Sequence, residues 1–143
     1  MYERILLPTD GTPSTERAIE QALELADMCG ASLHVLSVVD KTIVPTDVRA
    51  DILYDELETE CAEAVAEVEA AANEAGIDVE TTIEHGTPHK IILDYVDEHD
   101  IDCIVMGTHG RKGLDRYLLG SVTAKVVRLS KIPVLTVRMN GYG

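Results

Sequence analysis

Tryptophan and phenylalanine are missing from this chain of 143 residues, and tyrosine occurs five times. Any core must therefore be assembled from Val, Leu, Ile and Ala, and a hydrophobic share of 45% is enough for one. Cysteine is scarce too. Cys29, Cys61 and Cys103 are odd in number and far apart, which excludes a disulfide framework or a zinc-binding spacing and fits free thiols in a reducing cytoplasm. Cys29 and Cys103 fall on apolar patterns and read as small buried hydrophobes. No apolar run approaches the roughly 18 residues a membrane span needs, and the N-terminus passes straight into Glu3 and Arg4 without a signal-peptide pattern. The expectation is a cytoplasmic protein with no membrane partner.

Positive charge is short overall but not everywhere. Residues 1–103 hold 25 acids and 5 bases, a net −20; residues 104–143 hold one acid, Asp115, and 7 bases, a net +6. The sum of −14 disfavours nonspecific binding of nucleic acid, while the basic final segment is the one electrostatically suited to an anionic ligand.

Short apolar runs alternate with helical patterns along the whole chain. Tyr2 to Leu7 reads as a strand closed by Pro8. Thr12 is an N-cap candidate with Pro13 at the first helical position and Glu16 in the first turn. Ala18, Ile19, Ala22, Leu23, Ala26 and Cys29 recur at helical spacing up to Gly30. Leu33 to Val39 is a second strand, broken only by His34 and Ser37, and its continuity suits burial on both faces. After a weak pattern through Lys41 to Pro45, a long amphipathic helix carries Leu53, Leu57, Cys61, Ala64, Val68, Ala72 and Ala75 on one stripe. Glu56, Glu60, Glu63, Glu67 and Glu74 lie off it, as a solvated face. Gly76 ends that helix. Val79 to Glu84 is strand three; Thr87-Pro88 opens a helix with Ile91, Ile92, Tyr95 and Val96 inward. Ile101 to Met106 is strand four, Ser121 to Leu129 a fourth helix and Pro133 to Val137 a fifth strand. Without repeat or linker, 1–143 reads as a single domain of α/β class: an open five-stranded parallel sheet with helices on both faces.

Between strand four and the fourth helix lies a connection far longer than the usual 2 to 6 or so residues. Gly107, Gly110 and Gly120 let main chain approach a ligand closely. Gly120-Ser121 offers amides and a hydroxyl at a helix start, where anions are favoured. Arg111, Lys112 and Arg116 lie between as charge partners. No Gly-Lys-Ser/Thr closes the loop and no GxGxxG is present, so neither a P-loop nor a dinucleotide fingerprint is spelled out.

The spacing Gly-x2-Gly-x9-Gly-Ser at Gly107, Gly110, Gly120 and Ser121 resembles the ATP-binding signature of the universal stress protein family. Ile5-Leu6-Leu7-Pro8-Thr9-Asp10, Gly86-Thr87-Pro88 and Ile132-Pro133-Val134-Leu135-Thr136-Val137 resemble it in the same order. The resemblance implies a Rossmann-like sheet of order 3-2-1-4-5, which makes strands one and four neighbours and brings Pro8-Thr9-Asp10 beside the Gly107 loop. It implies that Pro8, Thr9 and Val38 border adenine, with Met106 and Gly107 along the nucleoside. Gly110, Gly120, Ser121 and Val122 would hold the phosphates, with Thr123 as a further contact. It also implies a homodimer through the C-terminal strand, 133–138; the apolar run Val134, Leu135, Val137 at a sheet edge invites such pairing, unless Met139 to Gly143 covers it.

Asp10 has three readings: accepting from two ribose hydroxyls, coordinating Mg²⁺, or capping local turn amides. His109 can position the phosphates as a donor or serve as an acid/base group. His85 and His89 supply no metal motif, because Gly86 and Pro88 stand between them, and no catalytic set is spelled out. The resulting expectation is an ATP-binding regulatory protein with little or no turnover. Its alternatives are a slow Mg²⁺-dependent nucleotide hydrolase and a nucleotide-free interaction module.

Overall fold

The computed structural model describes residues 1–10, 15–40, 50–108 and 121–138. The order of elements is β1 (Arg4–Pro8), α1 (Glu16–Cys29), β2 (Ser32–Asp40), α2 (Ala50–Glu74), β3 (Val79–Gly86), α3 (Pro88–Glu98), β4 (Cys103–Gly107), α4 (Ser121–Leu129) and β5 (Val134–Val137). The five strands form one parallel sheet in the order β3-β2-β1-β4-β5.

Side chains alternate across a strand, so each buried strand supplies two layers. Ile5 and Leu7 of β1, Leu33 and Val35 of β2 and Val105 of β4 face α1 and α2. Leu6, Leu36, Ile104 and Met106 face α3 and α4. On the first side the helices present small residues, Ala18, Ala22 and Ala26 from α1 and Val68 and Ala72 from α2. Steps of four keep them on one face. On the second side the largest fully buried residue, Tyr95 of α3, fills space beside Ile92 and Val126. A Leu6→Ala change between these layers would cost about 2–5 kcal/mol.

The ends of the elements follow local rules, with some departures from the sequence expectation. Gly30 (φ 66°) and Gly76 (φ 76°) take the left-handed conformation at the ends of α1 and α2. Ala31 N–H then donates to Ala26 C=O, and Ile77 N–H to Ala72 C=O, both at 2.9 Å. Pro88 opens α3 behind an extended Thr87, as expected. The expected cap at Thr12 lies outside the described residues, as do Pro13 and the Lys41–Pro45 stretch. α1 opens at Glu16, with Thr15 in the N-cap position. Thr15 makes no side-chain cap bond: its backbone is helical (φ −95°, ψ −8°) rather than extended, and its hydroxyl accepts that of Thr9 at 3.3 Å.

Two burial assignments also change. Cys29, the last residue of α1, is half-buried, whereas Cys61 is as buried as Cys103. On α2 the inner face takes in Val65 and ends at Ala72; Ala75 is exposed where the chain turns at Gly76. The glutamates off the stripe are exposed. Cys103 is pushed up to about 11, first by burial and then by the Asp102 charge, so its thiol stays protonated.

Candidate functional site at the carboxyl edge

β1 leads through α1 to β2 in one direction and β4 leads through α4 to β5 in the other, so the order reverses between β1 and β4. In open parallel sheets the crevice beyond the carboxyl ends of such a pair is the ligand site. β1 and β4 pair at Ile5↔Cys103 and Leu6↔Ile104, which carries Pro8-Thr9-Asp10 and Met106-Gly107 to the same edge. Val38 joins them from β2, two residues past Leu36, the partner of Pro8.

Pro8 has no amide donor and ends β1. Thr9, buried, donates its N–H to Leu36 C=O at 2.9 Å, and its carbonyl accepts the Ser37 hydroxyl at 2.7 Å. Asp10 follows, half-buried. Across the reversal, the buried Thr123 of α4 donates its hydroxyl to Gly107 C=O at 2.8 Å, binding the first turn of α4 to the end of β4. Thr108 N–H donates to Val137 C=O at 3.0 Å. Ser121 is exposed and Val122 half-buried at the same helix start. The first amides of a helix have no partner within it; here they belong to a turn without an acidic residue, on a helix with Arg128 in its last turn.

Nine of the expected site residues thus gather at one edge: Pro8 at the end of β1 with Thr9 and Asp10 just after it, Val38 from β2, Met106 and Gly107 from β4, and Ser121, Val122 and Thr123 from α4. His109, Gly110 and Gly120 lie outside the described residues, as do Arg111, Lys112 and Arg116. Ser37 and Thr15 were not among the expected site residues. Ser37's one signal in the sequence was a polar residue interrupting the apolar run of β2.

A second polar cluster sits nearer the amino end of β2. His34 Nδ1 is 2.7 Å from the Tyr95 hydroxyl, and Tyr95 stacks on His99 with ring centroids 3.8 Å apart. Burial pushes His34 down and Tyr95 up from their ordinary values. The phenol is thus held toward its protonated form and the imidazole toward its neutral form. His85 pairs with Glu58 of α2. Among the described residues no three His, Cys, Asp or Glu side chains are grouped to hold a metal, and no helix is long and apolar enough to cross a membrane.

The topology defines a doubly wound α/β fold whose strand order reverses between β1 and β4. The model of the universal stress protein family matches residues 1–138. Universal stress protein MJ0531 of Methanocaldococcus jannaschii is 33% identical over 141 residues, covering 96% of this chain and 83% of that protein. The solved structure of the protein MJ0577 superposes with a TM-score of 0.87 at 29% identity, covering 99% of each chain. A crystal structure of a universal stress protein in complex with cAMP gives a TM-score of 0.76 at 29% identity, covering 97% of this chain and 99% of that one. This chain belongs to the universal stress protein family.

Proposed function

We propose that this chain is a cytoplasmic regulatory protein that binds ATP at the β1/β4 edge with little or no turnover. The observation that carries the reading is the convergence of Asp10 with the start of α4 on one edge of the sheet, on a chain spelling Gly107-x2-Gly110-x9-Gly120-Ser121. The similar protein crystallised with cAMP supports an adenine nucleotide as the ligand class.

The donor set suits that ligand. The carbonyls of Thr9 and Gly107, which would repel phosphate oxygens, each already accept a buried hydroxyl. The Ser121 hydroxyl and the first amides of α4 are the donors for phosphate, joined by main chain at Gly110 and Gly120 and by His109. Pro8, Thr9, Val38 and Met106 border the base and nucleoside, with Gly107, Val122 and Thr123 completing the wall. Asp10 accepts from the ribose hydroxyls; its carboxylate would also suit Mg²⁺, which takes most of its ligands from phosphates and water. When bound, the metal would neutralise phosphate charge.

Replacing Gly120 with Val blocks close approach of the phosphates, so the variant should lose labelled ATP that the unmutated chain retains. Equal binding by the two would refute the loop assignment. The same samples are assayed for phosphate release, with His109→Ala as control. Turnover at the ordinary enzymatic scale of about 1 s⁻¹ or more would replace regulation with Mg²⁺-dependent hydrolysis. A chain that ignores ATP altogether would be an interaction module on the same fold.

The active form is proposed to be a homodimer through 133–138. β5 is a sheet edge on which Leu135 and Thr136 are exposed, and Val127 and Leu129 of α4 are exposed as well. Unpaired strand edges with apolar side chains favour association. Light scattering should give twice the chain mass; the single-chain mass at high concentration would exclude the dimer. Three free thiols fit the reducing cytoplasm, and cell fractionation tests that placement.

A further inference from the structure

We infer that Ser37 is a positioning residue for the nucleotide site, acting on the sugar through Thr9 and Asp10 without touching the ligand. The inference rests on the proposed reading of Asp10 as the ribose partner.

The pairing of β1 with β2 runs from Arg4↔Ser32 to Pro8↔Leu36 and stops there. Beyond it the chain must leave the sheet at a defined angle if Asp10 is to meet two adjacent hydroxyls, a geometry that tolerates only about 0.5 Å of play. Thr9 is the point of departure, and it is held three ways. Its N–H is bound to Leu36 C=O at 2.9 Å, its C=O accepts from Ser37 Oγ at 2.7 Å, and its hydroxyl meets Thr15 Oγ1 at 3.3 Å. Ser37 is 1% exposed, so its hydroxyl is shielded from competing water and the bond is made in a low-dielectric setting.

The position is otherwise hard to account for. β2 is an interior strand whose inward positions on this side, Leu33 and Val35, are aliphatic core residues. At the next alternate position an apolar residue would bury more surface. A hydroxyl there does what a valine cannot: it fixes the carbonyl immediately before Asp10.

A buried polar group that merely satisfies itself would affect stability, or all ligands equally; a positioning residue must act selectively on recognition of the sugar. Calorimetric titration of ATP and of 2′,3′-dideoxy-ATP, which lacks both hydroxyls, separates these cases. It is applied to the unmutated chain, Ser37→Ala, Asp10→Ala and the double variant, each confirmed folded by its thermal transition. Ser37→Ala should weaken ATP about tenfold, the scale of one buried hydrogen bond and its consequences, and leave dideoxy-ATP unchanged. The double variant should bind ATP no more weakly than Asp10→Ala. Ser37→Cys, nearly the same size with a weak donor, should fall between Ser and Ala.

If Asp10→Ala weakens ATP and Ser37→Ala does not, the nucleotide site stands and the role of Ser37 is refuted. Equal losses for both ligands would make Ser37 a structural residue only, which also overturns the inference. ATP binding indifferent to Asp10→Ala would remove the sugar assignment itself, and Ser37's role with it.

Discussion

At the amino edge of the sheet, a carboxylate is spent on backbone donors. Asp102, just before β4, accepts from Glu3 N–H at 2.9 Å and Arg4 N–H at 3.2 Å, while its own N–H returns to Arg4 C=O at 3.0 Å. Ser32 adds its N–H to Glu3 C=O at 3.0 Å. At the carboxyl edge the same three strands are finished the other way round: hydroxyls from Ser37 and Thr123 are spent on backbone acceptors, the carbonyls of Thr9 and Gly107. One edge therefore keeps a fixed negative charge among its main-chain groups, which repels an anion. The other masks its carbonyls and sets a helix start beside Asp10, which suits a ligand with an anionic tail and a hydroxylated middle.

The sharpest way to break this contrast is to remove each aspartate in turn. Asp10→Ala should weaken ATP by about ten- to a hundredfold, the range for hydrogen bonds to a charged group, and leave the unfolding midpoint in denaturant nearly unchanged. Asp102→Ala should do the reverse, lowering unfolding free energy by about 1 kcal/mol, because its bonds lie at the surface, with ATP affinity retained. If Asp102→Ala also abolishes ATP binding, the two edges are not independent.

A smaller effect concerns the half of β2 nearer the amino edge. His34 is held below its ordinary 6.5, first by burial; Glu80 opposes the shift, while His99 and Arg4 add to it. Tyr95, whose hydroxyl is hydrogen-bonded to His34 Nδ1, is itself raised by burial, with Glu80 and Glu84 adding to the effect and the Thr82 hydrogen bond opposing it. The sign follows from linkage. The unfolded imidazole takes up its proton as pH falls through 6.5, before the folded one does, so this contribution to stability is complete above 6.5 and is lost below it. Denaturant unfolding at pH values on either side of 6.5 should show a shallower loss in His34→Gln than in the unmutated chain. Identical slopes would mean that the imidazole is not the group responsible.

Much of this architecture was legible in the residues, for identifiable reasons. Alternating short apolar runs and 3.6-residue stripes located the nine elements found among the described residues, and Pro8, Gly30, Gly76 and Pro88 marked ends that the backbone respects. Strand order was a different matter. It came from the resemblance to a known family, since periodicity within elements says nothing of which strands lie side by side. The departures share a cause. Thr12-Pro13 carries a good local cap signal, yet α1 opens at Glu16 behind Thr15, whose hydroxyl meets Thr9 across the end of β1. The burial of Cys29, Val65 and Ala75 depends on how wide a helix face the sheet covers and where that face ends.

The candidate site was readable only as residue types at the ends of strands. That Ser37 reaches the Thr9 carbonyl depends on Pro8 lying opposite Leu36, and that Thr123 serves Gly107 depends on where α4 starts relative to β4. Neither register is written in a local pattern. His109, Gly110 and Gly120 lie outside the described residues, and their assignment rests on spacing alone.

The central claim, that the nucleotide occupies the β1/β4 reversal at the carboxyl edge, is tested most directly by following backbone amide resonances during an ATP titration. Binding should shift the amides of Asp10, Val38, Gly107 and Ser121 to Thr123 and leave Glu3, Arg4, Ser32 and Asp102 in place. Shifts concentrated at the amino edge, or none at saturating ATP, would contradict it.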